Sequence, residues 1–423
     1  MNRLDELIMD ERVMYKAYKK SCRNRSYKMS AMKFSLNVIS NLEKIQNELI
    51  SRKYKVTRYT EFTVFEPKER IILACLFKDK IVQHVLCDNI LVPMLQQICI
   101  TDNYAGQKGK GSKFGRERTV FHMNKWYCEH DNSGYVYRSD IHKYYYNINH
   151  EIAKSVMHKY FPDYTHWLID IFIDSTEDPG IALGNQINTI VSNIYLHELD
   201  MFITKELGYE HYGRYADDFW LIDDDKERLK LNVQIIENYL HNKLKLELNP
   251  KSQIIPFKNG IKFIGFHFYV RNNGEIEIRL DNGKKRSYRR KFNRMIKLVA
   301  NKELNIDKLL KSYYSWKAHA SYVTDHSIFN YYEKRIKEEL FNMTIENGYY
   351  ISERTSEKTP TSYKDANTFY LPVNIEELDD GTYKFTEYRF NIPIDYKLPS
   401  EIVEGLAHEL DEYRRALEEV GVV

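Results

Sequence analysis

At 423 residues the chain is too long for one ordinary domain, and length alone suggests roughly two to four. Hydrophobic residues make up 43% and charged residues 29%, enough of each for a buried core and a soluble surface, which excludes a mainly disordered chain. The longest uncharged stretch, Pro179 to His197, is interrupted by Asn and Gln, so no membrane span is expected. The opening MNRLDELIMDER carries acids and no apolar run, which points away from a secretory leader. Five cysteines without a CxxC pattern argue against a disulfide framework or a zinc finger, and reducing cytoplasm is the expected compartment.

The net charge of +3 hides an uneven distribution. Residues 345–423 hold 17 acidic against 8 basic side chains, so residues 1–344 carry +12. Residues 284–297 contain 8 basic side chains and no acid. A basic body favours a polyanionic partner, because each neutralised phosphate releases counterions. A solvated helix face is the other reading of such a run. The 34 tyrosines could stack on bases, and they are equally ordinary core material.

In chain order, residues 1–50 have apolar positions at three-to-four spacing and predict helices. Tyr54 to Phe65 alternates Thr, Val and aromatic residues, as a strand does. KERIILACLFKDKIVQHVLCDNIL predicts a short strand passing into an amphipathic helix, and the loop NYAGQKGKGSKFG leads to another helix. A strand is expected to end at Asp140, a helix to cover 149–160, and one long helix to cover 187–207. HYGRYADDFWLIDD is apolar around a tight acidic centre and predicts a hairpin. A helix at 226–244, short strands near Ile254, from Ile261 to Val270 and near Ile276, and a basic helical stretch to about 345 follow. Beyond Gly348 the chain turns acidic, and Pro360, Pro372, Pro393 and Pro399 are expected to break it into short pieces.

The sharpest motif is Tyr215-Ala216-Asp217-Asp218. Alone it could be a surface turn, since Asp favours turns. Its company is ordered: Ser139-Asp140-Ile141-His142-Lys143-Tyr144-Tyr145 upstream, then Gly180-Ile181-Ala182-Leu183-Gly184-Asn185-Gln186 and Ser192-Asn193-Ile194-Tyr195-Leu196. Downstream stand Leu248-Asn249-Pro250-Lys251 and Phe263-Ile264-Gly265-Phe266. Paired acids suit magnesium, which takes oxygen from one or two carboxylates and the rest from phosphate and water.

This series resembles the reverse transcriptases of the prokaryotic, group II intron and retron-like branch. The resemblance extends back to Pro67-Lys68-Glu69-Arg70-Ile71, Phe77-Lys78-Asp79-Lys80-Ile81-Val82-Gln83 and the Gly-Lys loop, and covers about residues 55–335. It implies an α+β right-hand polymerase with fingers, palm and helical thumb. The implied divisions are a basic helical extension at 1–54, fingers at 55–138, palm at 139–275, thumb at 276–345 and an acidic extension at 346–423. It implies Asp140, Asp217 and Asp218 as catalytic acids, two Mg2+ ions held by Asp140, Ile141, Asp217 and Asp218, and deoxynucleoside triphosphate substrates. Asp218, next along the chain from Asp217, is expected to point to the opposite face of a strand.

Tyr145 would exclude a 2′-hydroxyl, with Tyr144 or Tyr146 serving as core. Arg70, Lys80, Gln186 and Lys251 would contact nucleotide; Lys108, Lys110, Lys284, Lys285, Arg286, Arg289 and Arg290 would contact nucleic acid. Tyr288, Phe292, Met295 and Ile296 are expected to be thumb core. Leu183 stands where many relatives carry Gln, which implies altered fidelity or template preference. No nuclease-like Cys/His cluster is present in the sequence, so the chain looks more like the stand-alone, defence-associated "unknown group" enzymes and, among them, type 2. The implied partners are a structured non-coding RNA template and an RNA/DNA duplex. An RNA-binding maturase-like protein, an RNA-dependent RNA polymerase, and a diversity-generating or retron-type enzyme are the rivals.

Overall fold

Phe219 to Ile222 are all buried, and a strand that is apolar on both sides has to be covered on both sides. That requirement organises the first of two units, Met1–Asn282 and Gly283–Val423. The computed structural model describes residues 2–65, 69–271, 273–346, 350–356, 364–365, 368–378 and 383–391. Pro67 and Lys68, part of the expected fingers motif, lie outside the described residues, as does most of the acidic extension.

The α+β expectation holds, with antiparallel sheets. A two-stranded ribbon joins β1 (Tyr59–Val64) to β2 (Arg70–Cys75). The main sheet contains β3 (Tyr135–Asp140), β4 (Tyr212–Tyr215), β5 (Asp218–Asp223) and β6 (Gln253–Pro256), in the order β4-β5-β3-β6. A smaller sheet runs β7-β8-β9 through Ile261–Phe263, Phe266–Val270 and Ile276–Leu280. The expected single strand from 261 to 270 is thus two, turning at Ile264-Gly265, where both residues have positive φ. Ile276–Leu280 pairs with β8, so the helical stretch begins only at Asn282.

One face of the main sheet, with Phe219 and Leu221, packs on helix Gln186–Tyr195 through a core that includes Ile187, Ile190, Val191 and Ile194. Gln83 caps that helix: its Oε1 accepts from the N–H of Gln186 at 2.9 Å and of Ile187 at 3.4 Å. The long helix expected at 187–207 is broken. It stops at Tyr195, and His197–Met201 and a wider turn at Phe202–Glu206 carry on. The break re-aims Asp200 toward β4. A helix at Asp163–Ile173 has no counterpart in the sequence reading. The N-terminal helices Arg3–Met9, Glu11–Cys22, Met29–Ser35 and Val38–Ile50 agree with it and join the same core through Leu4, Ile8, Met14, Leu42 and Leu49.

The other face, with Trp220, packs on helix Ser112–His130 through His122, at 5.6 Å between ring centroids. His122 and Arg118 both bind Asp102, and although burial raises that acid's pKa their hydrogen bonds hold it well below the usual range. His211 stands edge-on to His122 and Trp126 and is buried. Burial, then the nearby His122, push the His211 pKa down to about 4. Its stabilising contribution is complete above the unfolded value of about 6.5. As pH falls from there toward 4, the unfolded chain takes a proton that the folded chain refuses, and stability drops by roughly 2–3 kcal/mol. Urea denaturation at pH 7 and pH 5 should show most of that loss, and His211→Asn should shrink it.

In the second unit, helices Asn282–Ala300, Ile306–Ala320 and Asn330–Glu346 close around Phe292, Ile296, Tyr313 and Tyr332. Tyr288 and Met295 flank that core, and Tyr288 stacks on Trp316 at 4.2 Å. The expected apolar face is therefore the buried one. Lys284, Lys285, Arg286, Arg289 and Arg290 are all exposed. The acidic extension is not merely short pieces. Its described strands, β10 (Tyr350–Ser356), β11 (Lys364–Asp365), β12 (Thr368–Glu377) and β13 (Tyr383–Asn391), form an antiparallel sheet in the order β10-β13-β12-β11. Strand β12 absorbs Pro372 with a register shift between Pro372 and Asn374. Among the described residues no helix is long and apolar enough to cross a membrane.

Candidate active site

The acidic hairpin is as tight as a hairpin can be. Tyr215 pairs with Asp218, leaving Ala216 and Asp217 as a two-residue loop. Ala216 takes φ +55, a conformation that glycine would adopt without strain. The turn persists because its surroundings fix it. Arg214 Nη1 donates to the Ala216 carbonyl at 2.9 Å, and the same buried guanidinium binds Asp200 in two-pronged fashion at 2.6 and 2.5 Å. Tyr212 OH adds a third bond to Asp200 at 2.7 Å.

Strand β3 brings the other acid. Asp140 stands directly opposite Asp218 in the β3–β5 register, and Arg138 opposite Trp220. Directly opposed residues of an antiparallel pair share a face. Asp218 therefore lies on the same face as Asp140, contrary to the expectation that it points away. Alternation does not apply across the pair, because Asp217 is a turn residue and not a strand residue. The Ile141 N–H donates to the Asp217 carbonyl at 3.3 Å, which ties the strand end to the turn.

The segment Leu248–Lys251 holds Asp140 from the other side. Asn249 N–H donates to the Asp140 carbonyl at 2.8 Å, and Asn249 Nδ2 donates to Asp140 Oδ2 at 3.1 Å. Arg138, Ser139, Asp140, Asp217, Asp218, Asn249, Lys251 and Gln253 line one cleft of about 400 Å³. Burial, together with Asp217 and Asp140 and against the pull of Arg138, pushes the Asp218 carboxyl up to about 7.

Among the described residues no group of three His, Cys, Asp or Glu side chains forms a cation site by itself. The residues nevertheless fit magnesium as an open half-site. Asp218 Oδ1 is shielded from solvent and accepts no hydrogen bond, and three carboxylates face one cleft with room for phosphate and water oxygens.

The remaining expected residues divide. Tyr145 is half-buried, its OH 3.2 Å from Ser192 Oγ, and it senses both Asp217 and Arg70 electrostatically. Tyr144 is core, with its OH donating to the Ser192 carbonyl at 2.5 Å, whereas Tyr146 is exposed. The glycine turn docks on this loop, since Ile181 N–H donates to the Tyr145 carbonyl at 2.9 Å. Arg70 opens β2 and is exposed, as is Lys108. Lys80 is half-buried, and burial and then Arg25 lower its pKa.

Two residues are committed elsewhere. Gln186 Nε2 donates to Asp88 at 2.9 Å, and Lys110 Nζ donates to the carbonyls of Ile100, Thr101 and Asn103 at 3.0–3.2 Å. Lys110 therefore ties up its own loop, and its ammonium is not offered to a phosphate. Gly106 of that loop sits against helix Gln186–Tyr195, where a Cβ would come within 2.5 Å of Asn193 Nδ2.

Sequence reasoning missed Arg138, the Asn249 contact and the Asp200–Arg214 pair. The first was legible, since residues two apart on a strand share a face. The last was not, since it joins residues 14 apart, one on the short helix His197–Met201 and the other on β4.

Residues 66–268 match the family model described as reverse transcriptase (RNA-dependent DNA polymerase). Among solved structures, the chain is similar to apo telomerase from Candida tropicalis truncated from its C-terminal domain, at 13% identity over 53% of this chain and 55% of that one, TM-score 0.42. It is also similar to telomerase from Candida albicans in complex with a TWJ fragment of telomeric RNA, at 12% identity over 70% and 60%, TM-score 0.41. The chain spans about half the length of the first of these. No curated protein matches it in sequence.

Proposed function

We propose that the chain, whose residues 66–268 match the reverse transcriptase family model, is an RNA-directed DNA polymerase that copies a bound structured RNA into DNA. The observation that carries this reading is the cleft in which Asp140, Asp217 and Asp218 meet at a strand end and a hairpin, with Tyr145 beside them. Asp140 and Asp217, with Ile141 next to the first, would hold Mg2+, and Asp218 would support them. When bound, two such ions activate the primer hydroxyl and neutralise the leaving pyrophosphate. The chain's own part is positional. Asn249 fixes the Asp140 carboxylate and Arg214 fixes the turn that carries Asp217; Arg70 and Lys80 would bind the incoming triphosphate. Lys251, exposed at the cleft, would give a proton to pyrophosphate.

In this reading residues 55–138 are fingers, 139–275 palm, and the helices from Asn282 onward a thumb whose exposed basic side chains grip duplex phosphates. The motif set favours the prokaryotic group II intron and retron-like branch. Within that branch, work with a non-coding RNA in antiphage defence is the finer reading, and it rests on the motif set alone.

Tyr145 is the residue that favours DNA over RNA as product. Tyr145→Ala should raise ribonucleotide incorporation by roughly ten- to a hundredfold relative to deoxynucleotide, a loss of discrimination of about 1.4–2.7 kcal/mol. Competitive incorporation assays measure it, and an unchanged ratio would sink the gate. The test of the function itself is synthesis from labelled deoxynucleotides and magnesium by the purified chain with its co-purifying RNA. RNase-sensitive product that vanishes in Asp217→Ala/Asp218→Ala supports the polymerase. RNA retained by both proteins without synthesis supports an RNA-binding, maturase-like protein instead.

A further inference from the structure

Three carboxylates in one cleft need compensating charge before any cation or nucleotide arrives. Among the described residues two basic side chains line that cleft, Arg138 and Lys251. They differ in placement. Lys251 is exposed on the turn, and its ammonium makes no ion pair with the three acids. Arg138 sits two residues before Asp140 on β3, so both side chains leave the same face of the strand. Across the β3–β5 ladder that face includes Asp218, and Arg138 Nε lies 3.6 Å from Asp218 Oδ1. This oxygen accepts no hydrogen bond and is shielded from water. At 3.6 Å the contact is an ion pair without a well-made hydrogen bond. Such a contact neutralises the acid and is easily exchanged for a better-fitting cation.

Resting on the reading of the acids as a cation site, we infer that Arg138 is the built-in counter-ion of the cleft, a positioning residue that holds Asp218 until a divalent ion displaces it. The guanidinium cannot lose its proton at any working pH, so the compensation is always present. It acts as a threshold. A divalent ion entering alone has to compete with Arg138, whereas one arriving with a triphosphate brings oxygen ligands that complete its shell. Arg138 thereby favours loading of cation and nucleotide together over occupancy by cation alone.

The test is titration of the full chain with Mn2+ alone, followed by electron paramagnetic resonance of the free ion, with no nucleotide or nucleic acid present. Arg138→Gln should bind Mn2+ more tightly than the parent, by roughly three- to tenfold, the size expected from removing one like charge a few ångström away. Arg138→Lys keeps the charge and should stay near the parent. Arg138→Met serves as a second neutral variant, and thermal unfolding identifies which variants are folded. A residue that only packed against the sheet would weaken or spare Mn2+ binding when replaced. Unchanged or weaker binding in the folded neutral variants, with binding lost in Asp217→Asn, would overturn the inference and leave the site reading intact. Parent binding that survives in both Asp140→Asn and Asp217→Asn would overturn the site reading itself.

Discussion

Asp217→Asn should reduce nucleotide addition by about 10³-fold or more while leaving the fold unchanged, because Asn preserves the shape of the turn and removes only the charge. Asp217 occupies the turn of a two-residue hairpin whose conformation is set elsewhere, by Arg214 on the Ala216 carbonyl. The substitution therefore leaves the backbone fixed and isolates the carboxylate. Asp140→Asn should behave similarly in rate, although Asn249 would then face an amide and part of its positioning bond would be lost. Asp218→Asn should cost less, about ten- to a hundredfold, because Arg138 already offsets its charge. The assay is single-turnover incorporation of one labelled deoxynucleotide on a defined RNA template, with circular dichroism to confirm folding. Equal losses at Asp217 and Asp218 would sink the ranking. Retained activity in Asp217→Asn would sink the site.

Much of this arrangement was legible because it is written in local pattern. A strand ending on Asp140 and a tight hairpin at Tyr215–Asp218 follow from apolar runs meeting acidic turns, and the structure has both. The apolar face of the basic helix at Asn282–Ala300 was legible for the same reason, since Phe292 and Ile296 recur at helical spacing and are buried. What failed were inferences needing tertiary information. Lys110 reads as a loop cation open to phosphate, yet it folds back on the carbonyls of Ile100, Thr101 and Asn103 in the turn before it. Gln186 reads as a nucleotide contact, yet Asp88 lies beside it only because two helices pack together. The face of Asp218 was misjudged because alternation was counted from a residue that belongs to the turn. The strands of the acidic extension were hidden by prolines, one of which sits at a register shift, where a missing N–H costs the ladder least.

The largest effect on stability is expected at Asp200, far from any motif. Asp200→Ala should lower the unfolding free energy by about 3–5 kcal/mol and the melting temperature by roughly 10 °C. Arg214 and Asp200 are both fully buried, and removing the acid leaves a guanidinium in the interior with, among the described residues, the carbonyls of Ala216 and Asn193 as acceptors. Tyr212 loses its acceptor as well. Asp200→Asn should be intermediate, since it keeps one acceptor oxygen and loses the charge. The informative variant is the double replacement Asp200→Leu/Arg214→Met. Exchanging a whole buried pair for apolar side chains of similar volume is often neutral, so most of the lost stability should return. Activity should not return with it, because methionine cannot hold the Ala216 carbonyl, and the loop that carries Asp217 would keep its left-handed residue without the bond that fixes it. Calorimetry beside single-nucleotide incorporation separates the two effects. If stability and activity recovered together, the pair would be packing alone. If stability alone recovered, the buried arginine would be the residue that aims the acidic turn into the cleft.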